Sequence, residues 1–404
     1  MSAIENWLRR SLHARAGLSP GLASGQTTPT VDVARPARTH RRKQIRTALL
    51  AAALAAAVVA VVGVPAGSTT VSGGRDRTPA PAGQTASTGP LSELPTGAPP
   101  AVDYLLDRTY VFADGDRVEL DVNPGTVLDA APYTDGVLVT VRSPTAASSE
   151  IADHLWFTRD GQLEHGGCGG EEVVLSADGA EFAYARTVRD CDRWGRWPVL
   201  QWGSTEDMLG TPRHLDTLEG QRVEPVGIST EQILYNATGS TGSSRARRVY
   251  TIGEVGIPVE VEGIARATAW DPATGRVAGC PSEGSCVVVD DRDGAVQLTL
   301  DPGEEPLSFS PDGQYLATVR GDGGRSTTIT VLHVPSGDVV VAWTGDSAAF
   351  QGHDSVAWEG SGALLIAAVD TDGEGLVRLG MDGSTELATP ITAPTVGGFL
   401  LPMS

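Results

Sequence analysis

The sequence predicts an all-β fold, a β-propeller of four-stranded blades, and three observations support this prediction. Residues 306–343 contain four runs of alternating or apolar strand-forming residues, separated by the turn sequences SPDG, GDGGRS and PSGD. Similar blocks recur along the C-terminal three quarters of the chain. Because one four-stranded blade alone buries little apolar surface, several blades must pack around a common axis.

The turn after the first strand of each block indicates the number of blades. Copies of this turn begin at Tyr133 (YTDG), Ser176 (SADG), Ser229 (STEQ), Asp271 (DPATG), Ser310 (SPDG) and Glu359 (EGSG). Their starts lie 39 to 53 residues apart, which brackets the roughly 40 to 45 residues of a typical blade. Two segments remain: residues 108–122 resemble a hairpin of two outer strands, and residues 395–403 offer one short inner strand. Because closing a ring requires both ends to share a blade, we expect seven blades, or six if these segments only extend their neighbours.

Residues 47–66 predict a single transmembrane helix. They contain no charged residue, and about 20 helical residues cross about 30 Å of hydrocarbon. A basic cluster comes directly before them, at Arg41, Arg42, Lys43 and Arg46. We therefore expect a single-pass protein of the cell membrane with a cytoplasmic N-terminus and an extracytoplasmic propeller at 101–404. The alternative is a cleaved signal peptide that ends near Ala66, which would make the protein secreted.

Composition divides the rest of the chain. Residues 67–100 are rich in Gly, Pro, Ser, Thr and Ala and predict a flexible, disordered stalk. Residues 1–46 form a cytoplasmic tail with nine basic and two acidic residues, a net charge of +7. Since the whole chain has a net charge of −20, the remainder has −27. This acidic excess argues against nucleic acid as a partner of the propeller.

The tail begins with a predicted amphipathic helix at residues 2–16. Its apolar side chains fall at helical spacing on one face, and they are Ile4, Trp7, Leu8 and Leu12. Ser2 and Glu5 have the spacing of a capping box. A short helix with no domain to pack against is marginally stable, so this face should bind a partner. The partner is either a soluble cytoplasmic protein or the anionic inner leaflet of the membrane.

Four cysteines predict two disulfide bonds. Cys280 and Cys286 flank the turn-forming run PSEGS, and Cys168 and Cys191 flank an inner hairpin. The loop that enters the first strand of a blade and the loop that leaves its second strand lie on one face, so both bonds should share that face. Disulfides suit an extracytoplasmic location. Free thiols are one alternative, and a metal site is the other, although the CxxC and His/Cys spacings of metal sites are missing.

One tryptophan-rich segment, CDRWGRWPVLQWG at 191–203, is a candidate ligand-binding surface. Arg193, Trp194, Arg196 and Trp197 should lie on the disulfide-bearing face. Exposed Trp together with Arg is typical of contact hot spots and sugar-binding platforms. The alternative is that these tryptophans pack between blades.

The sequence predicts no catalytic residue, cofactor site or metal site. The one GxSxG match, at 17–21, lies in the tail and lacks the strand and helix that a nucleophile elbow needs. No histidine pair has HxH or HExxH spacing. The acidic runs at 290–294 and 370–373 lack the full calcium-loop pattern, so we interpret both as hairpin turns. We therefore expect that the protein is not an enzyme.

The SPDG-type turns, of which FSPDGQYLATV is the best copy, resemble those of WD40-like and TolB-like propellers. Gly352 and His353, followed by Val356, Trp358 and Gly362, are similar to the opening of a WD40 repeat. The order of helix, Arg-rich stretch, Ala/Val span, stalk and propeller resembles that of actinobacterial single-pass membrane-anchored propeller proteins, some of which are thought to pair with extracytoplasmic-function sigma factors. A TolB-like resemblance implies a protein-binding surface and no active site.

These observations predict a non-enzymatic binding or sensing module whose ligand is an unknown protein or envelope component. It would relay to a cytoplasmic partner, such as a sigma factor, through the first helix. The alternative is a cell-envelope carbohydrate-binding or hydrolytic propeller enzyme. A glycosidase would need paired carboxylates near the axis, and no spacing in the sequence singles out such a pair.

Overall fold

The computed structural model describes the part of the chain that forms the propeller. The described residues are 84–85, 90–123, 126–134, 136–142, 152–169, 173–186, 199–205, 213–216, 222–239, 247–253, 256–321, 327–345, 355–393 and 398–402. The predicted helix at 2–16 and the predicted span at 47–66 lie outside them. Within the described ranges, no helix is both long and apolar enough to cross a membrane.

Short β-strands and one 3₁₀ turn, Leu91–Glu93, make up the regular structure of this part of the chain. The strands are β1 (Gln84–Thr85), β2 (Tyr104–Leu106), β3 (Thr109–Val111), β4 (Arg117–Glu119), β5 (Val127–Tyr133), β6 (Gly136–Arg142), β7 (Ala152–Thr158), β8 (Leu163–Gly169), β9 (Val173–Leu175), β10 (Glu181–Arg186), β11 (Val199–Ser204), β12 (Arg213–Asp216), β13 (Arg222–Ile228), β14 (Gln232–Thr238), β15 (Arg247–Gly253), β16 (Pro258–Glu260), β17 (Arg266–Asp271), β18 (Arg276–Cys280), β19 (Val287–Asp290), β20 (Val296–Thr299), β21 (Glu304–Phe309), β22 (Tyr315–Gly321), β23 (Thr327–His333), β24 (Asp338–Gly345), β25 (Val356–Glu359), β26 (Ala363–Val369), β27 (Glu374–Gly380), β28 (Thr385–Leu387) and β29 (Phe399–Leu400).

The described strands form seven sheets, which are the seven blades of a β-propeller. Six blades are antiparallel meanders of consecutive strands: blade 1 is β5–β8, blade 2 is β9–β12, blade 3 is β13–β16, blade 4 is β17–β20, blade 5 is β21–β24 and blade 6 is β25–β28. First strands of neighbouring blades contact one another, as β9 does β13 and β17 does β21. The first strands therefore surround the axis, and the fourth strands lie at the outer edge.

Blade 7 closes the ring with both ends of the chain, which confirms seven blades over six. Its strand order is β29, β2, β3, β4, and Leu106 of β2 pairs with Phe399 of β29. The inner strand predicted within 395–403 is confirmed. The hairpin predicted at 108–122 is confirmed as β3 and β4, but the prediction missed β2, which comes directly before it.

The repeated Ser-x-Asp-Gly turn forms through side-chain hydrogen bonds. In blade 5 the Ser310 hydroxyl donates to Asp312 over 2.7 Å, and the backbone N–H of Tyr315 donates to the Ser310 Oγ over 2.9 Å. Gly313 has a φ of +65°, and a Cβ there would lie 2.0 Å from a carboxylate oxygen of Asp271 in blade 4. The turn thus requires glycine for its backbone conformation and for close packing on the preceding blade.

The core consists of apolar layers between neighbouring blades. One layer joins Ile329 and Trp343 of blade 5 to Leu364 and Leu379 of blade 6. Among the described residues, six further apolar clusters form the layers at the other six interfaces between neighbouring blades. Each blade is therefore stabilised by its two neighbours, as the prediction of stacked blades requires.

Residues 90–100, which the sequence assigned to the stalk, pack against the propeller instead. Leu91 and Leu94 are buried in the apolar layer between blades 5 and 6. The composition of the segment hid this packing, because two leucines among Pro, Ser, Thr and Gly give no periodic signal. The boundary between stalk and propeller predicted at residue 100 therefore needs correction.

Candidate functional site

The ends of the strands define two faces of the propeller. Loops between the second and third strands of each blade leave one face, which we call the disulfide face. Cys280 ends β18, the second strand of blade 4, and Cys286 directly precedes β19, the third. Their sulfur atoms lie 2.03 Å apart, which confirms the predicted disulfide at this position. Loops between the first and second strands leave the opposite face, which we call the turn face.

The second predicted disulfide stays a prediction. Cys168 lies in β8, the last strand of blade 1, and Cys191 lies outside the described residues. The end of β8 and the end of β10 both lie on the disulfide face, because fourth and second strands run in the same direction. The strand order is therefore compatible with the predicted bond between these two cysteines.

The tryptophan-rich segment connects two strands on the disulfide face. β10 ends at Arg186 and β11 begins at Val199, and these are the second and third strands of blade 2. The end of β10 and the start of β11 therefore both lie on the disulfide face. The candidate ligand-binding residues in this connection, Arg193, Trp194, Arg196 and Trp197, lie outside the described residues. Trp202, from the same sequence segment, lies in β11 and packs against the apolar layer between blades 2 and 3, as the alternative interpretation proposed for these tryptophans.

In blades 1 to 3, the connections on the disulfide face are longer than those on the turn face. Second and third strands are joined there by residues 143–151, 187–198 and 239–246, and first and second strands by residues 134–135, 176–180 and 229–231. Long loops on a rigid scaffold are the usual location of binding residues. The disulfide face of blades 1 to 3 is therefore the candidate ligand-binding surface.

The turn face contains a cleft of about 260 Å³ at the junction of blades 7 and 1. The Arg159 guanidinium forms ion pairs with Asp114 and, over 3.3 Å, with Asp116, and it lies 4.3 Å from the centre of the Phe112 ring. Asp103 accepts hydrogen bonds from the Ala113 backbone N–H over 2.7 Å and from a tyrosine hydroxyl, and burial raises the pKa of its carboxyl group.

These contacts join the closing blade to blade 1. Arg159 belongs to blade 1, whereas Asp114, Asp116 and Phe112 follow β3 in blade 7. The charged side chains that line the cleft are therefore already engaged with one another. Such an arrangement stabilises the junction between blades 7 and 1, and the described residues that line the cleft include no nucleophile with an adjacent base.

The N-terminal segment is the second functional element, and we call residues 84–85 and 90–101 the strap. β1 adds a parallel fifth strand to β24 at the outer edge of blade 5. Thr96 then forms a parallel bridge with Leu387 of β28, at the outer edge of blade 6. The strap therefore crosses the outer edges of two consecutive blades before the chain enters blade 7.

An acidic turn binds the strap on the disulfide face. The Leu91 backbone N–H donates to the Asp370 carboxylate over 2.7 Å, and the Ser92 hydroxyl donates to Asp372 over 2.5 Å. Asp370 also accepts the backbone N–H groups of Asp372 and Gly373, so the run at 370–373 is a hairpin turn, as predicted. Its carboxylates bind the strap, a role that the sequence did not indicate.

Arg378 binds the other end of the strap. Its guanidinium pairs with Glu359 and Glu386 and donates to the carbonyl oxygens of Ala98 and Pro99, each over 3.0 Å. Glu359 also accepts the Ala101 backbone N–H over 2.6 Å. The side chains of Arg378 and Glu359 are only 15% and 9% exposed. This network is stronger than a surface ion pair, because hydrogen bonds to charged groups gain strength where water is excluded.

No three His, Cys, Asp or Glu side chains of the described residues come close enough to hold a metal ion. The apolar residues predicted to bind a partner, Ile4, Trp7, Leu8 and Leu12, lie outside the described ranges. The described part of the chain therefore provides one candidate binding surface, the disulfide face of blades 1 to 3. It also holds the strap firmly against the propeller.

Comparisons with family models and with curated proteins give no match. Similar solved structures include TolB from Acinetobacter baumannii, which is 13% identical and aligns over 66% of this chain and 68% of TolB, with a TM-score of 0.41. The β-propeller domain of the Trilobed protease from Pyrococcus furiosus is 11% identical over 71% of this chain and 87% of that domain, with a TM-score of 0.47. Prolyl oligopeptidase B from Galerina marginata is 9% identical over 69% of this chain but only 45% of its own, with a TM-score of 0.48. The structural neighbours thus include TolB and other propeller proteins.

Proposed function

We propose that this chain is a membrane-anchored extracytoplasmic β-propeller that acts as a non-enzymatic binding or sensing module. It binds a protein or another envelope component on the disulfide face of blades 1 to 3. It relays to a soluble cytoplasmic protein, such as a sigma factor, through residues 2–16. The uncharged run at 47–66, the basic residues before it and the net charge of −27 that follows the tail support this topology.

The attachment of the strap is the observation on which the relay rests. Residues 90–101 follow the predicted span, and they are bound by Asp370, Asp372 and Arg378 and buried through two leucines. A displacement of blades 5 to 7 would move the bound strap, and with it the end of residues 67–83, which connect the strap to the predicted span. A binding event on the propeller can therefore bias the position of the tail.

The topology is tested first. A reporter enzyme fused after Ser404 should be active outside the membrane, and the mature protein should keep its N-terminal residues. A mature N-terminus at Gly67 would contradict the anchor and support the secreted alternative.

The relay is tested by replacing Trp7 and Leu8 with Asp in the full-length protein. Burial of each large apolar side chain is worth about 1.5 to 3 kcal/mol, so the variant should lose its dominant soluble cytoplasmic partner while inserting normally. The matched control replaces Leu18 and Leu22, which lie in the same tail but outside the predicted helix, and should keep the partner. If the native tail captures no soluble protein and its peptide only partitions onto anionic vesicles, the relay is wrong and the helix is a lipid-surface anchor.

The ligand-binding surface is tested with the full-length protein in detergent. Replacing Trp194 and Trp197 with Ala should reduce capture of envelope components by about tenfold or more, because aromatic residues dominate hot spots. The matched control replaces Val296 and Val259 with Ala, two exposed apolar residues at outer edges. Glycan binding with turnover of the bound sugar would instead support the carbohydrate-active alternative.

A further inference from the structure

The layer between blades 1 and 2 contains a buried histidine at the end that faces the candidate ligand-binding surface. His154 is the third residue of β7, counted from the disulfide face, and it is 3% exposed. The strand register places Thr140 of β6 opposite His154 and Asp129 of β5 opposite Thr140, and both are also buried. Across the layer, the His154 ring contacts the ring of Tyr184 in β10, with the ring centres 5.3 Å apart. A row of polar side chains therefore lies at the disulfide-face end of this layer.

The apolar part of the layer lies nearer the turn face and is small. Leu138, Trp156 and Phe182 are its central residues, one row closer to the turn face than the polar row. Among the described residues, this apolar cluster has five buried side chains, the fewest of the seven layers. Because apolar burial holds neighbouring blades together, this layer should open more easily than the others, and it should open first at the polar row.

The His154 ring uses only one of its two nitrogens in the closed layer. Its Nδ1 lies 3.2 Å from the Thr140 hydroxyl, whereas its Nε2 has no hydrogen-bond partner among the described residues. A buried ring nitrogen without a partner weakens the closed layer. Protonation gives both nitrogens an N–H and adds a positive charge, so the charged ring needs an acceptor at Nε2 as well. Water supplies this acceptor when the two blades separate.

Burial outweighs the charges around the ring. By strand register, the titratable and charged residues at the disulfide-face end of the layer are Asp129 of β5, Arg142 of β6, Tyr184 and Arg186 of β10, and His214 and Asp216 of β12. Glu164 of β8 lies nearer the turn face, where it accepts the Tyr133 hydroxyl over 3.3 Å. Asp129 favours the charged ring, but β6 separates its strand from β7 by two strand spacings, about 10 Å. Asp153 lies on the opposite face of β7. Burial therefore lowers the pKa of His154 to about 4.

The direction of the pH effect follows from this shift. An imidazole in water has a pKa of about 6.5, so the open layer binds more protons than the closed layer between pH 6.5 and 4. The closed layer is therefore favoured above this window and is lost as the pH falls through it. From pH 7 to pH 5, the ratio of open to closed molecules should rise about twentyfold.

We propose that acid opens the disulfide-face end of the layer between blades 1 and 2, and that His154 is the residue that senses the proton. The connections 143–151 and 187–198 follow the disulfide-face ends of β6 and β10, which both border this layer. Opening therefore displaces two strand ends from which part of the candidate ligand-binding surface arises. This consequence for ligand binding rests on the function proposed above, whereas the opening itself does not.

The test measures how fast a reagent reaches a cysteine placed in the layer. Ala152, at the disulfide-face end of β7, is fully buried and lies on the same face of the strand as His154. The full-length A152C variant in detergent is treated with a small aromatic disulfide reagent at pH 7 and pH 5, and mass spectrometry follows labelling of the peptide that contains residue 152. Each rate is divided by the rate for the unfolded chain at the same pH. This normalised rate should rise about twentyfold from pH 7 to pH 5.

Three control variants separate local opening from unfolding of the whole propeller and identify the group that titrates. Ala278→Cys places a thiol at an equally buried position between blades 4 and 5, and its normalised rate at pH 5 should be lower by about tenfold or more, because only global unfolding exposes it. A152C/H154Q should lose the rise with acid, and A152C/H154N replaces it if the glutamine variant does not fold. A152C/H333Q removes a half-buried histidine of blade 5 and should keep the rise.

Equal normalised rates at residues 152 and 278 would overturn the proposal, because the layer would then open only when the propeller unfolds. A rise that persists without His154 would also overturn it, since another group would sense the proton. A rate at residue 152 that does not change between pH 7 and pH 5 would show that acid does not open the layer.

Discussion

Arg378 shows how a single side chain attaches the strap. It has two carboxylate partners and two carbonyl partners, and the strap supplies the carbonyls. Arg378→Met keeps much of the side-chain volume but leaves Glu359, which is 9% exposed, without its counter-charge. We expect the free energy of unfolding to fall by about 2 to 4 kcal/mol, because removing one partner leaves the other charge buried and unpaired. Urea-induced unfolding of the purified protein measures this change.

The matched control for this substitution is Arg248→Met. Arg248 pairs with Glu260 over 2.7 Å, but the two side chains are 55% and 42% exposed. An exposed pair contributes at most about 1 kcal/mol, since solvent and salt screen it. Equal losses for the two variants would show that the Arg378 network contributes no more than a surface ion pair.

His154 makes the stability of the propeller depend on pH. Its ring is buried in β7, its Nδ1 lies 3.2 Å from the Thr140 hydroxyl, and burial lowers its pKa to about 4. The unfolded chain, with an imidazole pKa of about 6.5, binds more protons than the folded protein between pH 6.5 and 4, so stability falls as the pH falls through this window. We expect a loss of about 2 kcal/mol from this group between pH 7 and pH 5.

Comparing His154→Gln with the native protein checks this prediction. The glutamine amide can still bond Thr140 but does not titrate. The difference in unfolding free energy between the two proteins should therefore shrink or reverse as the pH is lowered from 7 to 5. A parallel pH dependence of both proteins would mean that other groups cause the acid sensitivity.

At the scale of elements, the strap is stabilised chiefly by Leu91 and Leu94. Both are buried between blades 5 and 6, although neither belongs to a blade. Leu91→Ala should lower the free energy of unfolding by about 2 to 4 kcal/mol, because a buried cavity remains where the side chain was. The control Ile257→Ala alters a side chain that is 67% exposed and should change stability by less than about 0.5 kcal/mol. Thermal unfolding distinguishes the two.

Limited proteolysis gives the strap prediction a second readout. Because Leu91 holds the strap, the Leu91→Ala variant should be cleaved after Glu93 by a glutamate-specific protease at lower protease concentrations than the native chain, since cleavage follows local opening. Unchanged cleavage together with unchanged stability would return residues 90–100 to the flexible stalk that composition predicted.

The sequence predicted the elements that repeat and missed those that occur once. The Ser-x-Asp-Gly turn could be recognised at Ser176 in blade 2 and Ser310 in blade 5, because the same residues recur there and form the same side-chain hydrogen bonds. The strap could not be recognised, because its partners Asp370 and Arg378 lie almost 300 residues further along the chain. Long-range pairing of this kind leaves no periodic pattern in a single sequence.

The same difference holds for the candidate surfaces: the sequence predicted contacts between residues that lie close together in the chain and missed contacts between residues that lie far apart. Cys280 and Cys286 were paired correctly because they lie close in sequence around a turn-forming run. The cleft at the junction of blades 7 and 1 was not predicted, because it joins Asp103 and Asp114 to Arg159 of another blade. Only the ring itself brings these residues together.

At the scale of the whole molecule, stability depends on closing the ring. Blade 7 takes its first strand, β29, from the C-terminal end of the chain and its other three strands from residues 104–119. Leu401 is fully buried, and Phe399 packs on Tyr104 with ring centres 5.9 Å apart. The short pair of β2 and β29 thus joins two segments that are far apart in the sequence. If this pair breaks, the ring should open as a unit.

Deleting residues 398–404 should therefore cost far more than one substitution. Losing the burial of Phe399 and Leu401 removes about 3 to 6 kcal/mol, against a total stability of about 5 to 15 kcal/mol for a typical domain. It also leaves β2 as an exposed inner edge, which can pair with another chain. We expect a lower and broader calorimetric transition and oligomers in size-exclusion chromatography with light scattering. The control deletion of residues 403–404 keeps β29 and should behave as the full chain does. If the longer deletion instead yields a monomer with the native melting temperature, the ring does not need β29, and a three-stranded blade 7 suffices to close it.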